Sequence, residues 1–174
     1  MKIDRIEDMR LGQADSAQIA ALLSCCFDTD FGGRTAFRQL HHVRFVARDP
    51  EIVGHIAVTL RHVRQGARLI PVIGLAEVAT DPVHRGRGIA AALLEAAIEE
   101  GRQSPAQFVL LFGDATLYAA AGFRPVHNML RFVDMTGAVT GAVEKQAADG
   151  LMVLPLTDRP WDAGTMIDML GHLF

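Results

Sequence analysis

The stretch Val78-Ala79-Thr80-Asp81-Pro82-Val83-His84-Arg85-Gly86-Arg87-Gly88-Ile89-Ala90 reads as the hand-over from a strand to a helix, and it decides how the rest of the chain is read. Glycines let a backbone approach a phosphate with no side chain in the way. The first helical turn offers unpaired N–H groups, and the helix dipole places partial positive charge at them. Arg85 and Arg87 add charge and fork-shaped donors. A Gly-x-Gly pair alone fits a phosphate loop and an ordinary tight turn equally well, so the flanking segments must decide.

Downstream, Gly88 to Glu100 carries Ile89, Leu93, Leu94, Ala96, Ala97 and Ile98 around most of a helical circumference, which predicts a mostly buried helix closed by Gly101. Phe108 to Phe112 is an unbroken apolar pentad, as in a strand buried on both faces beside a parallel neighbour. Upstream, Arg68 to Thr80 is long for a strand and is interrupted by Pro71 and Gly74, which predicts an edge start and a bulge or bend. Together these segments form a βαβ unit. Asp114 then caps a short helix, Ala115 to Ala121, with Gly122 as its left-handed terminator.

Working outward, Lys2 to Arg10 is an edge-like strand without a clean apolar face. Asp15-Ser16 is an N-cap for a helix with Ile19, Leu22, Leu23 and Phe27 in helical spacing; Asp28 to Gly33 breaks it, and Arg34 to His42 forms a second short helix. Val43 to Arg48 and Ile52 to Val63 make an antiparallel hairpin around Asp49-Pro50. Met129 to Val133 and Leu151 to Leu156 are strands, Thr136 to Gly150 is a loop or weak helix, and Thr157 to Phe174, holding Trp161, has no assignment.

The 174 residues suit one domain with a sizeable core, about 1–156, followed by the tail 157–174. Half of the residues are hydrophobic and 21% are charged, a globular composition that folds alone or as a homodimer. Seventeen Lys and Arg against 20 Asp and Glu give a net charge of −3, so no global basic field draws the chain to nucleic acid or to an anionic membrane; an anionic ligand needs a local site. No segment approaches the roughly 18 to 20 apolar residues of a membrane span, and a cytoplasmic location is expected. Cys25 and Cys26 are adjacent and poorly placed to bridge, and read as small apolar side chains.

With these segments in place, Arg85-Gly86-Arg87-Gly88-Ile89-Ala90 resembles the Gln/Arg-x-x-Gly-x-Gly/Ala acyl-CoA motif of the GNAT acetyltransferase superfamily, with Pro82 ahead of it as is usual there. Gly113 to Phe123 is similar to that family's Tyr-x-x-x-Gly-Phe segment, and to a bacterial subgroup with Gly-Asp-Pro-x-Tyr-Tyr-x-x-x-Gly-Phe, from which it departs at Ala115 and Leu117. The resemblance implies an α+β fold of three layers (αβα), with a mixed, partly splayed central sheet of six or seven strands flanked by helices. It also implies acetyl-CoA as co-substrate, no metal, and acetyl transfer to a primary amine by direct attack in a ternary complex. The pantetheine arm would pair with backbone groups of Val78 and Thr80, and N–H groups from Arg85, Gly86, Arg87, Gly88, Ile89 and Ala90 would surround the pyrophosphate.

Tyr118, the single tyrosine, occupies the family's general-acid position, and a phenol with a pKa of about 10 suits donation to a departing thiolate. The competing reading is a tyrosine that packs the short helix against the sheet. Glu77 is the candidate base, its apolar neighbours expected to raise its pKa, with a structural carboxylate as the alternative. His41, His42, His55 and His62 lack metal-ligand spacing. His41 or His42 could border the acceptor pocket, and Asp28 with Asp30 would suit a cationic amine or serve as solvated caps. A non-catalytic acyl-CoA-binding module is the rival to the enzyme.

Overall fold

The structure, a computed structural model, describes residues 1–113 and 116–174. They divide into two compact units, residues 1–59 with 76–98 and residues 60–75 with 99–174.

In the first unit, β1 (Lys2–Glu7) pairs antiparallel with β2 (Val43–Arg48), Arg5 facing Phe45, and β2 pairs antiparallel with the first part of β3 (Ile52–Gln65), Phe45 facing Ile56. The predicted hairpin is present, with a register shift between Ala47 and Arg48. Helix α1 (Gln13–Cys26) lays Ile19, Leu22 and Leu23 against Val46, Ile52 and Ala79, with Phe31 joining the cluster. The helix starts ahead of the expected Asp15-Ser16 cap, at Gly12, whose position has no side-chain cap. Asp15 instead accepts a hydrogen bond from Arg48 at 2.8 Å.

The expected short helix over Arg34 to His42 is replaced by bends and irregular chain. The physical reason is that its backbone groups are taken by partners distant in sequence. Phe37 N–H donates to Glu77, His41 N–H donates to Asp8, and Thr35 C=O accepts from Arg44, so the i→i+4 ladder has lost its members.

The strand order is β6-β9-β5-β4-β3-β10-β7-β8, where β4 is Arg68–Thr80, β5 Phe108–Phe112, β6 Arg124–Pro125, β7 Met129–Val133, β8 Val143–Ala147, β9 Leu151–Pro155 and β10 Ile167–Asp168; the second unit holds these strands except residues 52–59 of β3 and 76–80 of β4, which belong to the first. The β4/β5 and β10/β7 pairs are parallel and the β5/β9 and β7/β8 pairs antiparallel, so the sheet is mixed as expected. Its strand count exceeds the six or seven of the sequence reading because β6 and β10 are two-residue pieces and β8 carries no sequence signal. Every residue of β8 is exposed, so no alternation marks it, and Thr136 to Gly150 reads as a loop although its second half pairs Val143–Ala147 with β7.

The core of this unit gathers Val63, Ile70, Val72, Phe108, Leu110, Leu130, Leu151, Val153 and Ile167. The tail is part of it. Trp161 stacks edge-on against Phe108 at 5.0 Å and donates to Asn128 at 2.9 Å. Phe174 packs over Gly74, where an added Cβ would lie 1.9 Å from the ring.

Helix α2 (Ile89–Arg102) follows the turn as predicted, but Gly101 lies inside it rather than closing it. The reason is close packing: a Cβ at Gly101 would meet Leu156 at 3.1 Å. Helix α3 spans Thr116–Ala120, and Gly122 follows at φ +94°. The expected cap Asp114 and the first helical residue Ala115 lie outside the described residues. Among the described residues no helix is long and apolar enough to cross a membrane.

Candidate active site

Between β4 and α2 the chain makes one 3₁₀ turn, Pro82–His84, capped by the Asp81 side chain, which accepts from Val83 N–H at 2.8 Å. It then runs through Arg85, Gly86, Arg87 and Gly88, all exposed. Gly86 and Gly88 adopt φ +77° and +75°, a left-handed geometry that favours glycine. Among the described residues a Cβ at either would meet nothing within 4 Å, so both positions face open space there. The Ala92 N–H donates to Gly88 C=O at 3.0 Å, opening the helical ladder, and the N–H groups before it lack an intrahelical acceptor. Arg87 makes a 3.6 Å ion pair with Asp49, both side chains more than half exposed, so it can be recruited elsewhere at little cost. Exposed glycines, two arginines and unpaired helix N–H groups are a chemistry that can receive an anion.

On the strand that leads into it, the β4/β5 ladder pairs Val72 with Phe108, Ile73 with Val109 and Gly74 with Leu110, and its register ends there although β4 runs on to Thr80. The carbonyl of Thr80 is met by Cys26 Sγ and Arg85 Nε, each at a long 3.4 Å. Burial pushes the Cys26 thiol pKa up, which keeps it an S–H donor.

Glu77, in the middle of this segment, has φ +54°, a left-handed conformation that costs a non-glycine residue about 1–3 kcal/mol and must be held by its surroundings. The bend expected from Pro71 and Gly74 is thus centred elsewhere. His55 supplies the hold: its Nδ1 lies 2.9 Å from the Glu77 carbonyl and its Nε2 lies 3.0 Å from Arg44 Nη1. A carbonyl only accepts and a guanidinium only donates, so the ring carries its proton on Nδ1 and is neutral. Burial, followed by the Arg44 charge, pushes the His55 pKa down to about 4.

Arg44 itself is fully buried; it pairs with Asp8 through Nε, donates to Thr35 C=O at 2.7 Å, and approaches Glu77 Oε2 at 3.7 Å. Burial opposes the charge on Asp8, but its bonds to Arg44 and the His41 N–H prevail and hold its carboxyl below the ordinary range.

The Glu77 side chain, 8% exposed, accepts from Phe37 N–H at 2.9 Å through Oε1 and faces His41 Nε2 at 3.2 Å through Oε2. That approach meets the distance but not the angle of a hydrogen bond, and among the described residues neither buried atom has another hydrogen-bond partner. Burial favours the neutral acid, yet His41 and Phe37 N–H outweigh it and leave the carboxyl pKa lowered. The rise expected from apolar flanks is therefore reversed, because the neighbours that matter are polar groups from β2, β3 and the 34–42 segment.

His41, one of the two histidines that could border the acceptor pocket, sits between Glu77 and Thr59, with Nδ1 2.9 Å from Thr59 Oγ1. His42 is exposed, and its N–H donates to Val58 C=O. Asp28 and Asp30 are exposed, and Asp30 caps a turn by accepting from Gly32 N–H at 2.6 Å.

Tyr118, in the second unit, is buried on α3, its ring edge-on to Phe123 with centroids 6.1 Å apart. Burial raises its phenol pKa, so the group is a neutral donor at pH 7. Asp8, Thr35, Arg44 and Thr59 escaped the sequence reading. A buried arginine is rare enough that composition and periodicity place it outside, and contacts across 9 to 36 residues join these groups to one another and to His41.

The sequence profile of the acetyltransferase (GNAT) domain family matches residues 9–126. No curated protein matches the chain in sequence. Among solved structures, a GNAT family N-acetyltransferase from Escherichia coli in complex with CoA aligns with a TM-score of 0.65 at 21% identity, over 96% of this chain and 88% of that one. A GNAT family acetyltransferase from Brucella melitensis in complex with acetyl-CoA aligns with a TM-score of 0.59 at 17% identity, over 94% of both chains. A GCN5-related N-acetyltransferase from Anabaena variabilis aligns with a TM-score of 0.59 at 21% identity, over 74% of this chain and 33% of that one. These likenesses are ones of fold, α+β around a mixed sheet, and with the profile match they establish that the chain belongs to the GNAT acetyltransferase family.

Proposed function

We propose that the protein binds acetyl-CoA and transfers the acetyl group to a primary amine by direct attack in a ternary complex. The observation that carries this reading is the turn at Gly86 and Gly88, left-handed, open above, and leading into the unpaired N–H groups of a 14-residue helix. Pyrophosphate fits such a place through backbone donors and the helix dipole, with Arg85 and Arg87 adding charge. The CoA and acetyl-CoA held by the Escherichia coli and Brucella melitensis proteins support the same donor here.

The pantetheine arm pairs with backbone groups of Val78 and Thr80. The end of the β5 register at Gly74 and the weakly engaged Thr80 carbonyl favour this. From pyrophosphate held at Arg85 to Ala90, an arm running back along β4 past Thr80 and Val78 carries the thioester toward Glu77. Tyr118 protonates the departing thiolate, a role that suits its buried, neutral phenol. Glu77 is the carboxylate of the site, as base or as the anchor of one.

A thiol-release assay with acetyl-CoA over a panel of primary amines tests the reading. Turnover on at least one amine, lost in Tyr118→Phe while acetyl-CoA still binds, is expected. Binding without turnover on any amine, unchanged in Tyr118→Phe, would make the protein an acyl-CoA-binding module.

A further inference from the structure

We propose that the acceptor amine gives up its proton to Thr59 and, through it, to His41, while Glu77 anchors the imidazole instead of taking the proton itself. The inference rests on the acetyl-transfer reading above and names the base of that reaction.

Three side chains are neighbours in one chain of contacts: Glu77 Oε2 lies 3.2 Å from His41 Nε2, close enough for an ion pair though off the angle of a hydrogen bond, and His41 Nδ1 lies 2.9 Å from Thr59 Oγ1. Carboxylate, imidazole and hydroxyl in this order form the arrangement by which a histidine is fixed in one tautomer and made to accept a proton from the hydroxyl. The negative charge of Glu77 beside Nε2 favours the tautomer with its proton on that nitrogen, which leaves the Nδ1 lone pair for the Thr59 hydroxyl proton.

Glu77 is badly placed to be the base directly. Oε1 is engaged by Phe37 N–H at 2.9 Å, and Oε2 is faced by His41 and, at 3.7 Å, by the buried guanidinium of Arg44. His41 and Glu77 are both 8% exposed at their side chains, whereas Thr59 is only half-buried and is the member a substrate can reach.

An alkylamine with a pKa near 10.4 arrives as ammonium. Its proton passes to Thr59 Oγ as the Thr59 proton passes to His41 Nδ1, giving an imidazolium whose charge Glu77 balances. The neutral amine attacks the thioester carbonyl, the C–N bond forms and the C–S bond breaks. Tyr118 protonates the thiolate, and the second nitrogen proton leaves to water. Water reprotonates the Tyr118 phenolate, and His41 releases its proton to solvent. The sum is ammonium plus acetyl-CoA giving amide, CoA thiol and one proton.

The test compares Thr59→Val, Thr59→Ser and His41→Asn with the wild type on an alkylamine acceptor and on hydroxylamine, which is already neutral at pH 7, with acetyl-CoA affinity measured by calorimetry. Expected on the alkylamine is a loss in kcat of about 10²-fold or more in Thr59→Val and His41→Asn, the scale of general-base catalysis, and near-full activity in Thr59→Ser. On hydroxylamine the losses should largely vanish, and acetyl-CoA affinity should stay unchanged throughout. Full alkylamine activity in Thr59→Val, or equal losses on both acceptors, would overturn the relay while leaving the acetyltransferase reading intact. A wild type that binds acetyl-CoA but acetylates neither acceptor overturns the relay and the enzyme together; one that does not bind acetyl-CoA overturns the donor assignment first.

Discussion

His55 Nδ1 donates to the carbonyl of Glu77 across 2.9 Å, and this bond joins a fully buried imidazole to a residue in left-handed backbone at φ +54°. The hold passes through Arg44 to Asp8, so the shape of β4 beside the proposed thioester position depends on a charge network rather than on local propensity.

Arg44→Met should destabilise the protein by about 3–5 kcal/mol, because it strands Asp8 and Glu77 as buried carboxylates without their cation. Urea unfolding of the variant against the wild type measures this, and a change below about 1 kcal/mol would show that the network is not the brace described.

Stability should fall as the pH drops from 6.5 toward 4. His55 has its pKa lowered from 6.5 to about 4 in the folded protein, so in that window the unfolded chain binds the proton that the folded one refuses. At about 1.4 kcal/mol per unit the lost stability is roughly 3 kcal/mol. Below that window the lowered carboxyls of Asp8 and Glu77 extend the loss in the same direction. Thermal unfolding against pH should show a shallower fall between 6.5 and 4 in His55→Gln.

Gly74→Ala should cost about 1–3 kcal/mol, the usual penalty of overpacking, by driving the Phe174 ring off its place. The ring cannot yield freely, since the Arg61 guanidinium lies 4.4 Å from its centroid and also donates to Met169 C=O. Adding Phe174→Leu should recover part of the loss in a double-mutant cycle; purely additive effects would contradict the contact.

What the sequence made legible was local. The turn at Gly86 and Gly88, the helix after it and the apolar pentad Phe108–Phe112 each announce themselves within a few residues, and all three stand where expected. Tyr118 and Glu77 could be named by pattern, but the surroundings of Glu77 could not. His55 lies 22 residues away and Phe37 lies 40 away, and no periodicity links them. Arg44, between apolar neighbours on β2, and the all-exposed strand Val143–Ala147 defeat a reading that equates charge with surface and strand with alternation. The short helix expected over Arg34 to His42 failed for the same reason, since side chains distant in sequence claimed its backbone groups.

In the proposed reaction the turn from Arg85 to Ala90 binds the pyrophosphate of acetyl-CoA. Gly86→Asp and Gly88→Asp each place a carboxylate there, and with nothing among the described residues within 4 Å of either Cβ position they add little beyond that charge and the strain of a left-handed residue. Calorimetric titration with acetyl-CoA should give clear binding for the wild type and none for either variant. Equal affinity in all three proteins would contradict the placement and, with it, the donor half of the proposed reaction.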